Sequence, residues 1–249
     1  CTTDQIEEEI LNLLTFSIKL LNSFGFDSIE ADLSTRPEKS IGNSDDWEKA
    51  TNSLKSALEN QNISYVTAHG EGAFYGPKID LHVKDAIGRR WQLSTIQVDF
   101  AQPDNFDLQF VDNNNKRVKP VMIHRALLGS IERFTGILIE NYAGEFPGWL
   151  SPVQVKILTI GDVSNYLNKI TKSLKGFRYE VDDRNLRLGE KLHDASKDRI
   201  PITLIVGEKD ELSNTLAINI RSQENQQNVK YEDAIKQIKA NLKTPIFKI

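Results

Sequence analysis

Apolar residues in the first 143 positions recur at helical spacing in two segments and at every second position in several others. Ile6, Ile10 and Leu14 share one face of a predicted helix over 2–24, and the same spacing predicts a second helix over 45–60. Alternation of apolar and polar residues predicts strands at 26–33, 79–83, 90–100, 106–111 and 117–123. Turn residues between the last four of these strands indicate an antiparallel meander, followed by a helix after Gly129.

The pattern changes beyond residue 143. Residues 144–152 are rich in Pro and Gly and lack periodicity, so we expect one domain over 1–150 and another over 151–249. In the second domain strands (153–160, 179–181, 200–206, 215–220) alternate with helices (163–174, 187–198, 231–243), and the polar tract 223–228 is expected to be a loop. The predicted fold class is α/β: an α+β domain with an antiparallel sheet, then a small α/β domain with a mostly parallel or mixed sheet.

Composition narrows the class of protein. The chain has 249 residues, of which 39% are apolar, which suffices for two ordinary cores. No apolar run approaches the length of a membrane span, so no membrane association is expected. The single cysteine, Cys1, excludes an internal disulfide and a Cys-rich zinc module within the chain and fits a reducing compartment. The chain has no initiator Met and no signal pattern, so we expect that it begins inside a longer protein.

Charge is spread unevenly along the chain. The net charge is −4, yet residues 1–150 are acidic and residues 151–249 are basic. A basic second domain is typical of proteins that bind an anionic macromolecule, although a surplus of this size is also common in domains that bind nothing charged.

The segment 121–134 carries the strongest chemical signal. It reads as an apolar strand, a Gly-Ser break and a helix with Arg133 in its first turn. A helix N-terminus favours anions, and the flat guanidinium fork suits phosphate oxygens, so the segment is a candidate polyphosphate site. The alternative is a solvated arginine on an ordinary helix.

Two further segments offer polar groups. The glycine-rich stretch 69–80 can approach a ligand closely, and Tyr75 and Lys78 within it offer a hydroxyl and a charge. The alternative is a glycine-rich loop that leads into a hairpin and carries a solvated lysine. The strand 91–100 contains Gln92 and Gln97, which strict alternation puts on opposite faces. Gln92 and Gln97 can serve one site only if a β-bulge lies between them. The alternative is an edge strand with one face exposed to solvent.

Histidines give little indication of a metal centre from spacing alone. His124 lies in an apolar strand, where a hydrogen-bonded core histidine is the commoner role than a metal ligand, and no second ligand is near it in the sequence. The other three histidines, His69, His82 and His193, show no ligand spacing. A Gly-x-Ser-x-Gly nucleophile motif is absent as well.

Taken together, four stretches resemble the threonyl-tRNA synthetases, a family of class II aminoacyl-tRNA synthetases. They are 33–39 (LSTRPEK), 70–78 (GEGAFYGPK), 91–100 (WQLSTIQVDF) and 121–133 (VMIHRALLGSIER), the last of which resembles class II motif 3. Counterparts of the family's motifs 1 and 2 and of its editing domain would precede Cys1. The resemblance implies the back portion of a catalytic domain followed by an anticodon-binding domain.

The resemblance also implies site roles. Arg133 and Lys78 match positions that hold ATP phosphates, and Tyr75 matches a threonine-contacting tyrosine. The remaining positions of the implied substrate site are Gln92 facing the adenylate, Thr95 and Gln97 near the tRNA acceptor end, and Gly129 and Ser130 supporting the adenosine. His124 matches one of three zinc ligands, whose partners would precede Cys1, so we expect no zinc on this chain alone.

In the second domain the implied anticodon-binding residues are Arg184, Asn185, Lys191, His193, Asp210 and Arg221. His193 departs from the family pattern, where an arginine is frequent, and the stretch Asn219–Arg221 is poorer in arginine than the family's strand. The implied partners are tRNA(Thr), ATP with Mg²⁺, and threonine, with zinc and a homodimer expected for the complete protein in the cytoplasm or an organelle matrix.

Two other functions remain open at the level of sequence. One is a non-catalytic tRNA-binding or regulatory protein built from synthetase parts. The other is a related class II synthetase for a different amino acid, such as proline or serine.

Overall fold

The computed structural model describes residues 1–245, which form two compact units, Cys1–Asn141 and a second that begins at Tyr142. The helices of the first unit are a short 3-10 turn (Thr3–Gln5), α1 (Ile6–Ser23), α2 (Ser44–Asn60), α3 (Gln102–Asn105) and α4 (Ile131–Asn141). Its strands are β1 (Ile29–Ser34), β2 (Tyr65–Ala68), β3 (Lys78–Lys84), β4 (Arg90–Asp99), β5 (Phe110–Val111), β6 (Arg117–Val118) and β7 (Met122–Ala126).

Five of these strands form one sheet in the order β2-β1-β3-β4-β7. The pair β3–β4 is antiparallel, as predicted. The pairs β1–β3 and β4–β7 are antiparallel as well, so that β7, and not the predicted strand 106–111, lies beside β4. Strands β1 and β2 are parallel and are connected through α2. The sequence pattern missed β2 because four residues are too few to establish alternation.

The predicted strands 106–111 and 117–123 are wrong in extent. Only Phe110–Val111 and Arg117–Val118 pair with each other, in a separate two-stranded hairpin. Pro120 follows that hairpin, and the chain then enters the main sheet as β7.

Helices cover one face of the five-stranded sheet. Ile10 and Leu14 of α1 and Leu54 of α2 are fully buried, as are Ile79 of β3 and Ile96 of β4. Each such side chain contributes about 1.5–3 kcal/mol through burial. Helix α2 begins where the Asn43 side chain accepts from the main-chain N–H of Asp46. The opposite face of the sheet is left for polar residues.

The second unit contains a five-stranded mixed sheet in the order β12-β11-β10-β8-β9. Its strands are β8 (Val155–Ile160), β9 (Tyr179–Asp182), β10 (Ile202–Gly207), β11 (Thr215–Ile220) and β12 (Gln226–Lys230), and its helices are α5 (Ser164–Ser173), α6 (Leu188–Lys197), α7 (Glu208–Ser213) and α8 (Tyr231–Asn241). Strands β8, β9 and β10 are parallel, and β11 and β12 are antiparallel additions. The predicted mixed α/β class is confirmed for this unit.

One prediction for the second unit is wrong. The tract 223–228 was expected to be a loop, but Gln226–Lys230 forms β12 at the edge of the sheet. The sequence pattern did not indicate this strand, because an edge strand in solvent needs few apolar residues and this one is mostly polar. Buried residues of β8, β10 and β11 pack with α5 and α8 in a single core that includes Ile157 and Ile238. None of the helices within residues 1–245 is long and apolar enough to cross a membrane.

The connecting segment 142–152 belongs to the second unit. The Arg221 guanidinium donates to the carbonyl oxygens of Glu145 and Phe146, and the Arg178 guanidinium donates to those of Trp149 and Ser151. The compact unit therefore begins ahead of the predicted boundary after residue 150, because these bonds fasten the segment to the second sheet.

Candidate functional site

The solvent-facing side of the first sheet carries a row of polar residues on neighbouring strands. The register pairs Lys78 with Gln97, Asp80 with Thr95 and His82 with Gln92. Four of the predicted substrate-site residues, Lys78, Gln92, Thr95 and Gln97, are thereby brought together on β3 and β4.

Gln92 reaches this face because β4 contains a bulge. Leu81 pairs with Ser94 and His82 pairs with Gln92, so Leu93 is the extra residue on β4. The bulge reverses the alternation and puts Gln92 on the same face as Gln97. The condition that the sequence left open is therefore met. The alternative of an edge strand is wrong, since β4 lies between β3 and β7.

Asp80 is the centre of a hydrogen-bonded cluster. One carboxylate oxygen, Oδ1, accepts from Gln92 Nε2 at 2.6 Å and from Thr95 Oγ1 at 2.7 Å, and Oδ2 accepts from Lys78 Nζ at 2.6 Å. Asp80 is only 6% exposed, and such a buried carboxylate needs these donors. The interpretation of Lys78 as a freely solvated lysine is therefore wrong: its ammonium is held in one place.

A glycine-rich loop brings Tyr75 to the same face. The Tyr75 hydroxyl donates to Gln97 Oε1 at 3.1 Å, and its main-chain oxygen accepts from Phe100 N. Gly76 is required by close packing, because a Cβ there would lie 1.8 Å from the carbonyl oxygen of Val98. The loop thus lies against β4, and this contact fixes the position of the tyrosine.

His124 continues the polar row onto β7, where it pairs in register with Gln97. Its Nε2 lies 2.7 Å from Asp99 Oδ2, and its side chain is 45% exposed, so it is hydrogen-bonded but not a core residue. The other oxygen of Asp99 accepts from the main-chain N–H groups of Ala101 and Gln102 in the turn that leads into α3.

The zinc site implied by the resemblance is not complete in the described part of the chain. Among residues 1–245, no group of three His, Cys, Asp or Glu side chains is arranged to hold a metal ion. His124 offers one imidazole, and zinc requires three or four protein ligands. The described residues alone therefore do not fit a zinc centre.

Helix α4 begins beside the bulge. Ser130 Oγ accepts from the main-chain N–H of Arg133 at 3.2 Å, which is an N-cap, and a Cβ on Gly129 would lie 3.6 Å from the carbonyl oxygen of Gln92. Gly129 adopts φ +63°, the left-handed region that glycine tolerates. The Arg133 side chain is exposed, and its guanidinium carbon lies 5.5 Å from the centroid of the Trp91 ring.

In the second unit, Arg184 and Asn185 line a cleft at the carboxyl ends of β8 and β9. Arg184 donates through Nε and Nη2 to both oxygens of Asp182 and through Nη2 to Asp194 at 2.7 Å. The hydrogen bond from Arg184 lowers the pKa of Asp182 and of Asp194 below the ordinary carboxyl value. His193 is exposed on α6. The carboxyl ends of parallel strands are where α/β sheets bind ligands.

The protein itself engages the side chains of the other three predicted anticodon residues. Lys191 is 2% exposed, and its ammonium donates to the carbonyl oxygens of Thr159 and Asp182. Asp210 caps α7 by accepting from the Gly207 N–H, and Arg221 holds the connecting segment. Each of these side chains stabilises the scaffold, so we carry Arg184, Asn185 and His193 forward as candidate base contacts, and the roles of the other three stay predictions.

Two functional candidates were missed by sequence reasoning. Asp80 and Asp99 organise the polar row. In the sequence, however, Asp80 resembles any carboxylate on the exposed face of a strand, and Asp99 resembles any carboxylate at the end of one. The available signal was spacing: Asp80 follows Lys78 by two positions and so shares its face of the strand.

Comparison with known families identifies both units. The family model described as "tRNA synthetase class II core domain (G, H, P, S and T)" matches residues 1–142, and the "Anticodon binding domain" model matches residues 154–241. Threonine–tRNA ligase from Clostridium tetani (strain Massachusetts / E88) is 49% identical over 89% of this chain and 35% of its own length. Threonine–tRNA ligase from Sulfurihydrogenibium sp. (strain YO3AOP1) is 46% identical over 96% of this chain and 38% of its own length.

A solved structure shows the same architecture. The RNA binding domain of threonyl-tRNA synthetase from Cryptosporidium parvum Iowa II superposes with a TM-score of 0.90 at 31% identity, covering 98% of this chain and 62% of that one. The chain spans little more than a third of the length of the curated relatives named above.

Proposed function

The chain belongs to the class II tRNA synthetase family, and on this premise we propose that it is a portion of a threonine–tRNA ligase. Such an enzyme joins threonine to ATP, forming threonyl-adenylate and pyrophosphate, and then transfers threonine to tRNA(Thr). The observation that carries the proposal is the Asp80-centred cluster, which holds an ammonium, an amide and a hydroxyl in fixed positions on one sheet face.

The first step places negative charge on phosphate oxygens. A carboxylate oxygen of threonine attacks the α-phosphorus of ATP, and the bond to the pyrophosphate leaving group breaks. Lys78, held by Asp80, and Arg133, at the positive end of α4, would stabilise this charge. Because both cations occupy fixed elements, their contribution is positioning as well as charge. Mg²⁺, bound with ATP, would supply further charge neutralisation.

The neutral polar groups would orient the amino acid and the adenylate. Tyr75, fixed by its bond to Gln97, would contact threonine, and Gln92 would face the adenylate. Gly129 and Ser130 would support the adenosine at the start of α4. In the second step a ribose hydroxyl of tRNA attacks the threonyl carbonyl carbon and AMP leaves, close to Thr95 and Gln97.

For the complete protein we propose His124 as one zinc ligand. No step above depends on that metal, since the described residues hold only one of the ligands. The second unit would bind the anticodon through Arg184, Asn185 and His193, and the complete protein is proposed to be a homodimer.

The test is threonine-dependent ATP–pyrophosphate exchange by the complete protein. The Arg133→Ala variant is expected to lose exchange, because the positive charge at the start of α4 is removed. Arg125→Ala is the matched control, since this arginine lies over the Phe16 ring on the other side of β7. Near-normal exchange in Arg133→Ala would refute the role of Arg133.

A second outcome separates the alternatives. Exchange that depends on proline or serine in place of threonine would indicate a different class II synthetase. Binding of tRNA without any amino-acid-dependent exchange in the unaltered complete protein would indicate a non-catalytic tRNA-binding protein.

A further inference from the structure

Trp91 has no part in the proposed reaction, yet it contacts the side chain of Arg133. It lies on β4 immediately before Gln92, and the Arg133 guanidinium carbon is 5.5 Å from its ring centroid. A guanidinium above an indole is attracted by the negative face of the ring. The indole is therefore a surface on which the arginine side chain rests.

The indole itself is anchored by a buried carboxylate. Trp91 Nε1 donates to Asp85 Oδ2 at 2.8 Å, and the Asp85 side chain is 0% exposed. Asp85 also accepts from the main-chain N–H groups of Ile87 and Arg89. Burial alone would raise the pKa of Asp85, but the hydrogen bonds from Trp91 and Arg89 outweigh it and lower the pKa below its ordinary value. The charged carboxylate thus fixes the ring orientation.

A second arginine at the same ring makes a contrast. The Arg89 guanidinium carbon lies 5.6 Å from the Trp91 centroid, but Arg89 is paired with Asp85 and with Glu140 of α4. Within residues 1–245, Arg133 forms no ion pair with a carboxylate. Its charge is held by an aromatic surface and remains available to an anion.

We propose that Trp91 is a positioning residue for Arg133, holding the guanidinium in one orientation at the start of α4. The proposal rests on the proposed function, because it concerns the arginine assigned to the ATP phosphates. A free arginine side chain has many rotamers, and a preformed support reduces the ordering that ATP binding would otherwise require. Loss of this support should therefore weaken the binding of ATP and leave the binding of threonine unchanged.

The experiment compares three variants of the complete protein by ATP–pyrophosphate exchange. Trp91→Leu, which removes the aromatic face, is expected to raise the KM for ATP about fivefold. The same variant should leave the KM for threonine within about twofold of the unaltered protein. Trp91→Phe keeps a flat ring and should recover most of the ATP affinity. Arg90→Gln is the matched control, because this arginine precedes Trp91 on β4 and pairs with Glu30 and Asp32, and it should leave the KM for ATP within about twofold.

Two results would overturn the proposal. One is an unchanged KM for ATP in Trp91→Leu. The other is an equal loss of affinity for ATP and for threonine in all three variants, Trp91→Leu, Trp91→Phe and Arg90→Gln, which would mean that the hairpin has only a structural role. If the unaltered complete protein shows no threonine-dependent exchange, the proposed function fails instead. Equilibrium dialysis with ATP alone then tests the positioning role, since the dissociation constant of Trp91→Leu for ATP should still be about fivefold that of the unaltered protein.

Discussion

The side-chain amide of Gln92 donates to the hydroxyl of Thr95 at 2.9 Å, although the two residues stand three apart on one strand. Residues three apart on a regular strand point to opposite faces. The contact exists because the bulge at Leu93 reverses the alternation, and both side chains then share one oxygen of Asp80. A single extra residue thereby assembles the polar cluster.

The first prediction concerns the charge of Asp80. In Asp80→Asn the negative charge beside the Lys78 ammonium is lost, and one side of the new amide presents N–H groups to donors, so threonine-dependent exchange by the complete protein should fall at least about tenfold. Glu30→Gln is the control, since Glu30 of β1 pairs with Lys84 of β3 and Arg90 of β4. Its activity should stay within about twofold. Equal activity of the two variants would contradict the central role of Asp80.

The second prediction concerns the close approach at Gly76. A methyl group there would meet the Val98 carbonyl oxygen at 1.8 Å, so the main chain must shift. Gly76→Ala should lower the free energy of unfolding by at least about 2 kcal/mol in urea titration. Gly136→Ala is the control, because nothing lies within 4 Å of its Cβ position and it sits inside α4. That variant should gain about 0.5–1 kcal/mol, and a similar loss in both variants would exclude the steric explanation.

The third prediction concerns acid stability of the second unit. The pKa values of Asp182 and Asp194 are lowered in the folded state by the hydrogen bond from Arg184. The unfolded state therefore binds more protons in this range, so the stabilisation is full above the ordinary carboxyl pKa of 3.8 and is lost as pH falls through the lowered values. Calorimetry of Arg184→Gln should show a lower Tm at pH 7 and a difference from the unaltered chain that shrinks on acidification.

Arg199→Gln provides the comparison for that experiment. Arg199 pairs with Glu145 at 2.9 Å, with both side chains about half exposed. Such a surface pair contributes little, so its variant should change the Tm only slightly at every pH. A difference for Arg184→Gln that stays constant between pH 7 and pH 3 would rule out the linkage to the two carboxylates.

The fourth prediction concerns zinc. After dialysis against a metal-free buffer, the 249-residue chain should retain far less than one zinc per chain in elemental analysis, since one histidine does not hold the ion. The complete protein is expected to hold zinc and to lose it in His124→Ala but not in His69→Ala, whose side chain is exposed on the glycine-rich loop. Stoichiometric zinc on the short chain would refute the prediction.

Much of the fold could be predicted from periodicity. Helices α1, α2 and α4 and strands β3, β4 and β8 follow from apolar spacing because each buries one face or both. Strand β2 and the hairpin of β5 and β6 could not, since two to four residues carry no period. Strand β12 was concealed by its polar residues, which an edge in solvent permits.

The candidate site was predictable in its members but not in its connections. Residue type and resemblance pointed to Lys78, Gln92, Thr95 and Gln97, whereas the bulge that unites them depends on pairing with β3. In the second unit the contacts of two predicted residues were not apparent from the sequence. The resemblance implies an anticodon role for Lys191 and Arg221, and only the three-dimensional path of the chain shows the carbonyl oxygens to which they donate.

The fastening of the connecting segment decides where this family's parts can be exchanged. Arg221, Arg178 and Arg199 bind the stretch from Glu145 to Ser151, so in a chimera joined after residue 150 these arginines and their acceptors between Glu145 and Trp149 come from different parents. A crossover between Asn141 and Tyr142 leaves every one of those bonds within a single parent. Recombinants made at that seam keep the matched set, whereas in those made nine residues later one parent's arginines must fit the other parent's segment, and the Arg199 pair also needs an acidic side chain at position 145.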